Sequence, residues 1–176
     1  MISSIIFTVL LLATAVIFIR RIAEIKTNIN LGRDIDLSGN SGERWKTMAK
    51  VALGQSKLVA RPLAGIMHVF IYVGFILINL EVLEIMIDGV FGTHRVFYDL
   101  LGSDLYYVFI GFFEVLALLV LVACIVFLIR RNIGKIKRFS GTEMTSWPKS
   151  DANIILVVES VLMLALLTMN ASDSVL

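Results

Sequence analysis

The sequence predicts an all-α, multi-pass transmembrane helix bundle with four membrane helices and one cytoplasmic amphipathic helix. Three observations predict it. Of the 176 residues, 58% are hydrophobic and the mean hydropathy is +0.89, which lies outside the range of soluble domains. The apolar residues are gathered into four long runs. The basic residues fall almost wholly in two of the three connections between those runs. A formal net charge of +2 gives no reason to expect a nucleic-acid partner. The single cysteine, Cys124, excludes a disulfide framework and any cysteine-held iron-sulfur or zinc site within the chain.

Crossing roughly 30 Å of hydrocarbon takes about 20 mainly apolar residues, and backbone groups in lipid must bond internally, so each run is expected to be helical. The expected spans are about 3–19, 63–87, 105–129 and 153–169. The first run has no basic residues before it and is followed by Arg20-Arg21, the reverse of a cleaved signal peptide. Nine basic residues lie between Arg20 and Arg61, six between Arg130 and Lys149, and one, Arg95, in the connection between the second and third runs. The positive-inside rule therefore predicts that connections 20–62 and 130–152 are cytoplasmic, with the N-terminus, the Asp88–Asp104 loop and the C-terminus outside.

The connections have their own signatures. In "RRIAEIKTNINLG", Ile22, Ile25 and Ile29 recur at helical intervals, so the first helix is expected to continue into the cytoplasm and stop at Gly32. "RDIDLSGNSGE" reads as a loop. Beyond it, Trp45, Met48, Ala49, Ala52 and Leu53 share one helical side, flanked by Arg44, Lys46, Lys50 and Lys57. That is the pattern of a helix lying on the inner leaflet, or of one packed against a partner domain. Pro148 is expected to precede the last helix, with Ser150 or Asp151 as its N-cap. The aromatic loop "DGVFGTHRVFYDLLGSD" is expected to fold back as an interfacial cap.

Polar residues at membrane depth are the candidate functional groups. On the second helix His68, Tyr72, Phe75 and Asn79 lie within about 60° of one another, with Gly74, Leu77, Glu81 and Glu84 on the other side. Two non-lipid faces are expected for this helix. His68 would sit about 8 Å inside the cytoplasmic surface, while Glu81 and Glu84 would lie near the outer surface and be wetted there. Glu114 and Glu159 fall in the hydrocarbon zone, as relay groups or as hydrogen-bonding partners that fix packing. For His68 the alternatives are an axial haem ligand, a proton-relay member, or a packing residue bonded to Glu159 or a carbonyl. His94, the only other histidine, is in the outer loop, roughly 27 Å of helix beyond His68, so one iron cannot take both. Its "THR" segment would make surface hydrogen bonds or meet a quinone or lipid headgroup.

The runs "ARPLAGIMHVFIYVGFILINLEVLE", "VFYDLLG" and "FFEVLALLVLVACIVFLIRR", with "NLGRDIDLSGNSGERWKTMAKVALGQSK" and "EMTSWPKSDANIILVVES", carry a resemblance that extends over essentially the whole chain. It resembles the N-terminal membrane domain of bacterial, Bacteroidetes-type iron-sulfur-binding oxidoreductases related to heterodisulfide reductase, a domain similar to the gamma subunit of respiratory nitrate reductase. The resemblance implies an inner-membrane bundle of five or more helices that binds haem b and exchanges electrons between quinone and a cytoplasmic iron-sulfur reductase domain or subunit. His68 matches the helix-two histidine of that module and would be the metal ligand, its partner lying on a fifth helix. Tyr72, Asn79 and Glu159 would orient the imidazole, a propionate or a quinone carbonyl, and Arg61 would pair with a propionate. With one membrane histidine where the gamma subunit has two, the chain suggests at most one haem. Iron-sulfur clusters would lie outside this chain, and residues 1–176 are expected to be a fragment of a longer protein. The alternatives are a redox-inert scaffold for a partner and a proton or ion carrier using Glu114 and Glu159. No motif for catalysis by this chain alone is present.

Overall fold

A computed structural model describes residues 1–33, 36, 38–56, 62–134, 141 and 147–173. Among them there are six α-helices and no strand: α1 (Ile2–Asn30), α2 (Ser41–Met48), α3 (Pro62–Phe91), α4 (Val96–Leu101), α5 (Ser103–Asn132) and α6 (Trp147–Ser172). Helices α1, α3, α5 and α6 are long and apolar enough to cross a bilayer, and the chain is a multi-pass membrane protein. Each of the four expected spans falls inside one of these helices.

Four hydroxyls on the spanning helices are satisfied by their own helix backbone. Thr8 and Thr14 donate to the carbonyls of Ser4 and Leu10 at 2.8 and 2.9 Å, and Ser160 and Thr168 donate to those of Leu156 and Leu164 at 2.8 Å each. A Ser or Thr side chain that bonds the carbonyl four residues back leaves no unmet donor in lipid.

The chain forms two compact units, Met1–Lys57 with Leu83–Val96, and Leu58–Val82 with Phe97–Leu176. In the first unit, α1 presents no buried residue. It ends at Asn30, two residues before Gly32, where Leu31 and Gly32 bond back to the carbonyls of Thr27 and Ile29 at 3.1 and 3.2 Å. Its N-terminal turns meet the end of α3 at two glycines. A Cβ added to Gly89 would stand 2.5 Å from the Phe7 ring, and one on Gly92 would stand 3.1 Å from the Ser4 hydroxyl. Gly92 also turns the chain at a φ of +72°, which a side chain would strain. Helix α2 runs directly into one π-turn, Ala49–Leu53.

The second unit is built on α5 and α6. Along α5 the buried residues Tyr106, Ile110, Phe113, Ala117, Val120 and Cys124 alternate at spacings of four and three. Such a repeat keeps one seam facing the partner helix, as in left-handed coiled coils. Leu156, Met163, Leu167 and Asn170 continue the same register on α6, and Ile78 of α3 joins the core. At one end, Asn132 and Asn153 exchange side-chain amide hydrogen bonds at 2.9 and 3.3 Å. At the α4 end, Tyr98 sets its ring edge-on to Tyr106 at 5.5 Å between centroids, so the expected aromatic cap takes the form of a short helix.

Three expectations are corrected. Helix α6 starts at Trp147 rather than at Ser150 or Asp151, because a proline in the first helical turn lacks only an N–H that has no partner there. The α3 helix does not bury two faces: Gly74, Ile78 and Glu81 are buried, but Phe75 and Asn79 are exposed. Glu81 and Glu84 are not wetted interfacial residues, since both are fully buried.

Small size at Gly74 sets the approach of α3 to α5, since a Cβ there would lie 2.4 Å from Val120 Cγ2. Val120 has no exposed surface and, being β-branched in a helix, one favoured rotamer, so it cannot swing away. Gly74→Ala should therefore lower stability by about 1–2 kcal/mol net of the helix-propensity gain. Gly111→Ala on α5, where a Cβ meets nothing within 4 Å, should raise it by about 0.5–1 kcal/mol. Denaturant titration of both variants in detergent micelles checks the opposite signs.

Candidate functional site

His68 lies in the second turn of α3, where Pro62 opens the helix. Its side chain is half-buried, and Nδ1 is shut off from solvent with no hydrogen-bond partner among the described residues. A buried nitrogen left unbonded costs on the order of 1–3 kcal/mol. Tyr72, one turn on, is also half-buried. The stripe then changes character: the Phe75 ring is 58% exposed, and Asn79 donates its amide to the Phe75 carbonyl of its own helix. Of the four residues expected to act together, His68 and Tyr72 form a sheltered half and Phe75 and Asn79 an open one.

Glu159 and Glu114 are half-buried on α6 and α5. Among the described residues neither bonds to His68, so the expected packing pair of Glu159 with the imidazole is not formed. Glu159 instead stands on α6, next to Ser160, whose hydroxyl donates to the Leu156 carbonyl at 2.8 Å. Arg61 lies outside the described residues, as does Lys57 of the amphipathic segment. No three His, Cys, Asp or Glu side chains among the described residues gather into a metal-binding group.

A second polar cluster, which sequence reasoning missed, occupies the turn after α3. The Arg95 guanidinium reaches Glu84 at 3.7 Å, with the two side chains 5% and 1% exposed. Asp88, one turn beyond Glu84, organises the loop backbone: Oδ2 accepts from the Arg95 N–H at 2.7 Å, and Oδ1 accepts from the Thr93 hydroxyl at 2.5 Å and the Val96 N–H at 3.3 Å. These bonds hold Arg95 at a φ of +55°, a left-handed conformation that a non-glycine residue adopts only when held there. His94, beside it, is exposed. A sequence signal did exist: Glu84 and Asp88 are four residues apart on one helix, and Arg95 is the sole cation in the following loop. The cluster closes a turn and neutralises charge, which makes it a structural lock.

Removing one partner of a buried pair is costlier than removing both. Arg95→Met should destabilise the protein by roughly 3–5 kcal/mol, whereas the Glu84→Gln, Arg95→Met double variant should lose much less. A double-mutant cycle by thermal unfolding in detergent reads the difference.

No family model, no curated protein and no solved structure matches this chain.

Proposed function

We propose that this chain is the membrane anchor and electron-transfer domain of an iron-sulfur oxidoreductase in a bacterial inner membrane, with His68 supplying one axial ligand to haem b. The observation that carries the reading is the His68 imidazole: a titratable ring at membrane depth, half-sheltered, whose buried Nδ1 has no bond among the described residues. Such a ring is one group short of its environment. A histidine ligand fixes its tautomer through a partner on its other nitrogen, and that partner would come from outside the described residues.

The donor set fits half of a bis-histidine site. His68 is one ligand, His94 is exposed in the turn after α3, and the second ligand comes from a segment other than those described. The open half of the α3 stripe, Phe75 and Asn79, leaves room for such a segment to lie against that helix. When bound, haem b supplies reversible one-electron transfer, here between quinone and a cytoplasmic iron-sulfur partner. The chain's own residues would orient and shield: Tyr72, half-buried one turn from His68, would orient the imidazole or a propionate, and Arg61, preceding α3 in sequence, would pair with a propionate. The two basic connections face the cytoplasm, N-terminus outside, where a reductase domain docks. The resemblance of the chain to the membrane domain of heterodisulfide-reductase-related proteins supports the same reading.

A redox-inert scaffold is the second reading, and one observation favours it. The Asn79 amide donates to the Phe75 carbonyl of its own helix, so part of its hydrogen-bonding capacity is met within the chain rather than by a cofactor.

A reduced-minus-oxidised absorption spectrum of the full-length protein separates the two. A b-type band is expected, and His68→Ala should abolish it while the helical circular dichroism persists. A well-folded wild type without the band leaves the scaffold reading.

A further inference from the structure

We propose that α2 and its π-turn form a built membrane-surface anchor for anionic lipid headgroups, with Trp45, Met48 and Leu53 in the apolar layer and Lys46 and Lys50 along its edge. None of the residues from Ser41 to Leu53 is buried. Trp45 is 65% exposed and Leu53 60%. Apolar side chains of this size on one face of a helix call for a cover.

The π-turn decides which residues share that face. In an α-helix each residue advances about 100°, which sets Met48, Trp45 and Ala49 in one arc but would carry Leu53 about 80° past Trp45. Gly54 donates its N–H to the carbonyl of Ala49 at 2.7 Å, the five-residue closure of a π-turn. With roughly 80° per residue through that turn, Leu53 comes back to within about 10° of Trp45, and Lys50 falls in line with Lys46. The result is one apolar strip, edged by Arg44 on one side and by Lys46 and Lys50 on the other, with Glu43 and Thr47 on the far side. Arg44 also donates to the Gly39 carbonyl, while Lys46 and Lys50 are exposed along the other edge.

Closure of the turn depends on Gly54. A Cβ there would lie 2.8 Å from the Lys50 carbonyl oxygen and 3.3 Å from that of Ala49, both backbone atoms that cannot move aside without undoing the turn. Gln55 follows at a φ of +49°, with Nε2 donating to the Ala52 carbonyl at 2.6 Å.

Charge selects lipid as the occupant. Three cations stand against one anion between Ser41 and Leu53, and the cations flank the apolar strip rather than oppose it. Lysines at the edge of an apolar face can lay their methylene stems along it and carry their ammonium groups to phosphates, while an indole suits headgroup depth. The segment is also tethered: eight residues, at most about 30 Å of extended chain, separate Leu53 from Pro62, where a membrane-spanning helix begins.

The test uses the full chain in proteoliposomes, with Trp147→Phe so that Trp45 is the sole indole. In vesicles of equal phosphatidylcholine and phosphatidylglycerol, Trp45 should be quenched by interfacially brominated lipid and reached by acrylamide roughly threefold less than in phosphatidylcholine alone. That protection should disappear in Lys46→Glu, Lys50→Glu, and at about 1 M salt, where the Debye length is about 3 Å. Gly54→Ala should reduce the brominated-lipid quenching by displacing Leu53, with the charges untouched. Equal acrylamide access in both vesicle types overturns the proposal. Protection that persists in detergent micelles overturns it too, and assigns the strip to a protein partner or a second copy.

Discussion

The bilayer interior offers no water, and every polar group placed there must find its bond within protein. Most of this molecule's construction follows from that one constraint. Thr8, Thr14, Ser160 and Thr168 turn their hydroxyls back onto their own helices. Past the apolar stretch of α5, Asn132 and Asn153 bond each other at one end of the α5–α6 seam. Glu84 meets Arg95, and Asp88 takes up two N–H groups and a hydroxyl that the turn would otherwise leave unmet. In lipid, apolar side chains gain little from meeting one another, so association rests on close fit. Gly74 against Val120 and the Gly89 surface against Phe7 supply that fit within their respective units.

What was legible in the sequence was whatever depends on runs of residues. A span needs about 20 consecutive apolar positions, and four such runs cannot be arranged otherwise than as helices. The helical continuation of α1 past Arg21 was readable too, because Ile22, Ile25 and Ile29 keep the 3.6-residue period. What was not legible depends on which face of a helix meets which neighbour. Glu81 and Glu84 illustrate it: depth along α3 puts them near a surface, but depth says nothing of azimuth, and their azimuth is the packed one that carries Gly74 and Ile78. The reverse error befell Asn79, whose polarity suggested an interior position. A short amide can bond its own helix backbone, so its polarity does not dictate where it faces.

The same reasoning explains why the two histidines read so differently. His94 sits in a turn where Asp88 accepts from the Thr93 hydroxyl before it and from the Arg95 N–H after it, and its side chain is exposed. His68 stands on a regular helix with a buried nitrogen and no bond among the described residues. Sequence separated the two along the chain but could not show that one ring nitrogen of His68 is shut off from solvent while His94 is exposed.

Incompleteness is also what links the sheltered imidazole to the exposed face beside it. A helix whose buried side runs Gly74, Ile78, Glu81 has its packing needs met there, so the opposite stripe is free to face lipid or a further helix. Lipid alone would favour aliphatic residues on that stripe, as on α1, where Val9, Leu12 and Val16 are all outward. Here the stripe instead begins with an imidazole and a phenol, both costly to present to hydrocarbon. Hydrocarbon gives no physical reason for that pair to be half-sheltered at one end of a helix and followed by an outward Phe75. Shelter by protein, rather than hydrocarbon, is what an imidazole and a phenol at that position require.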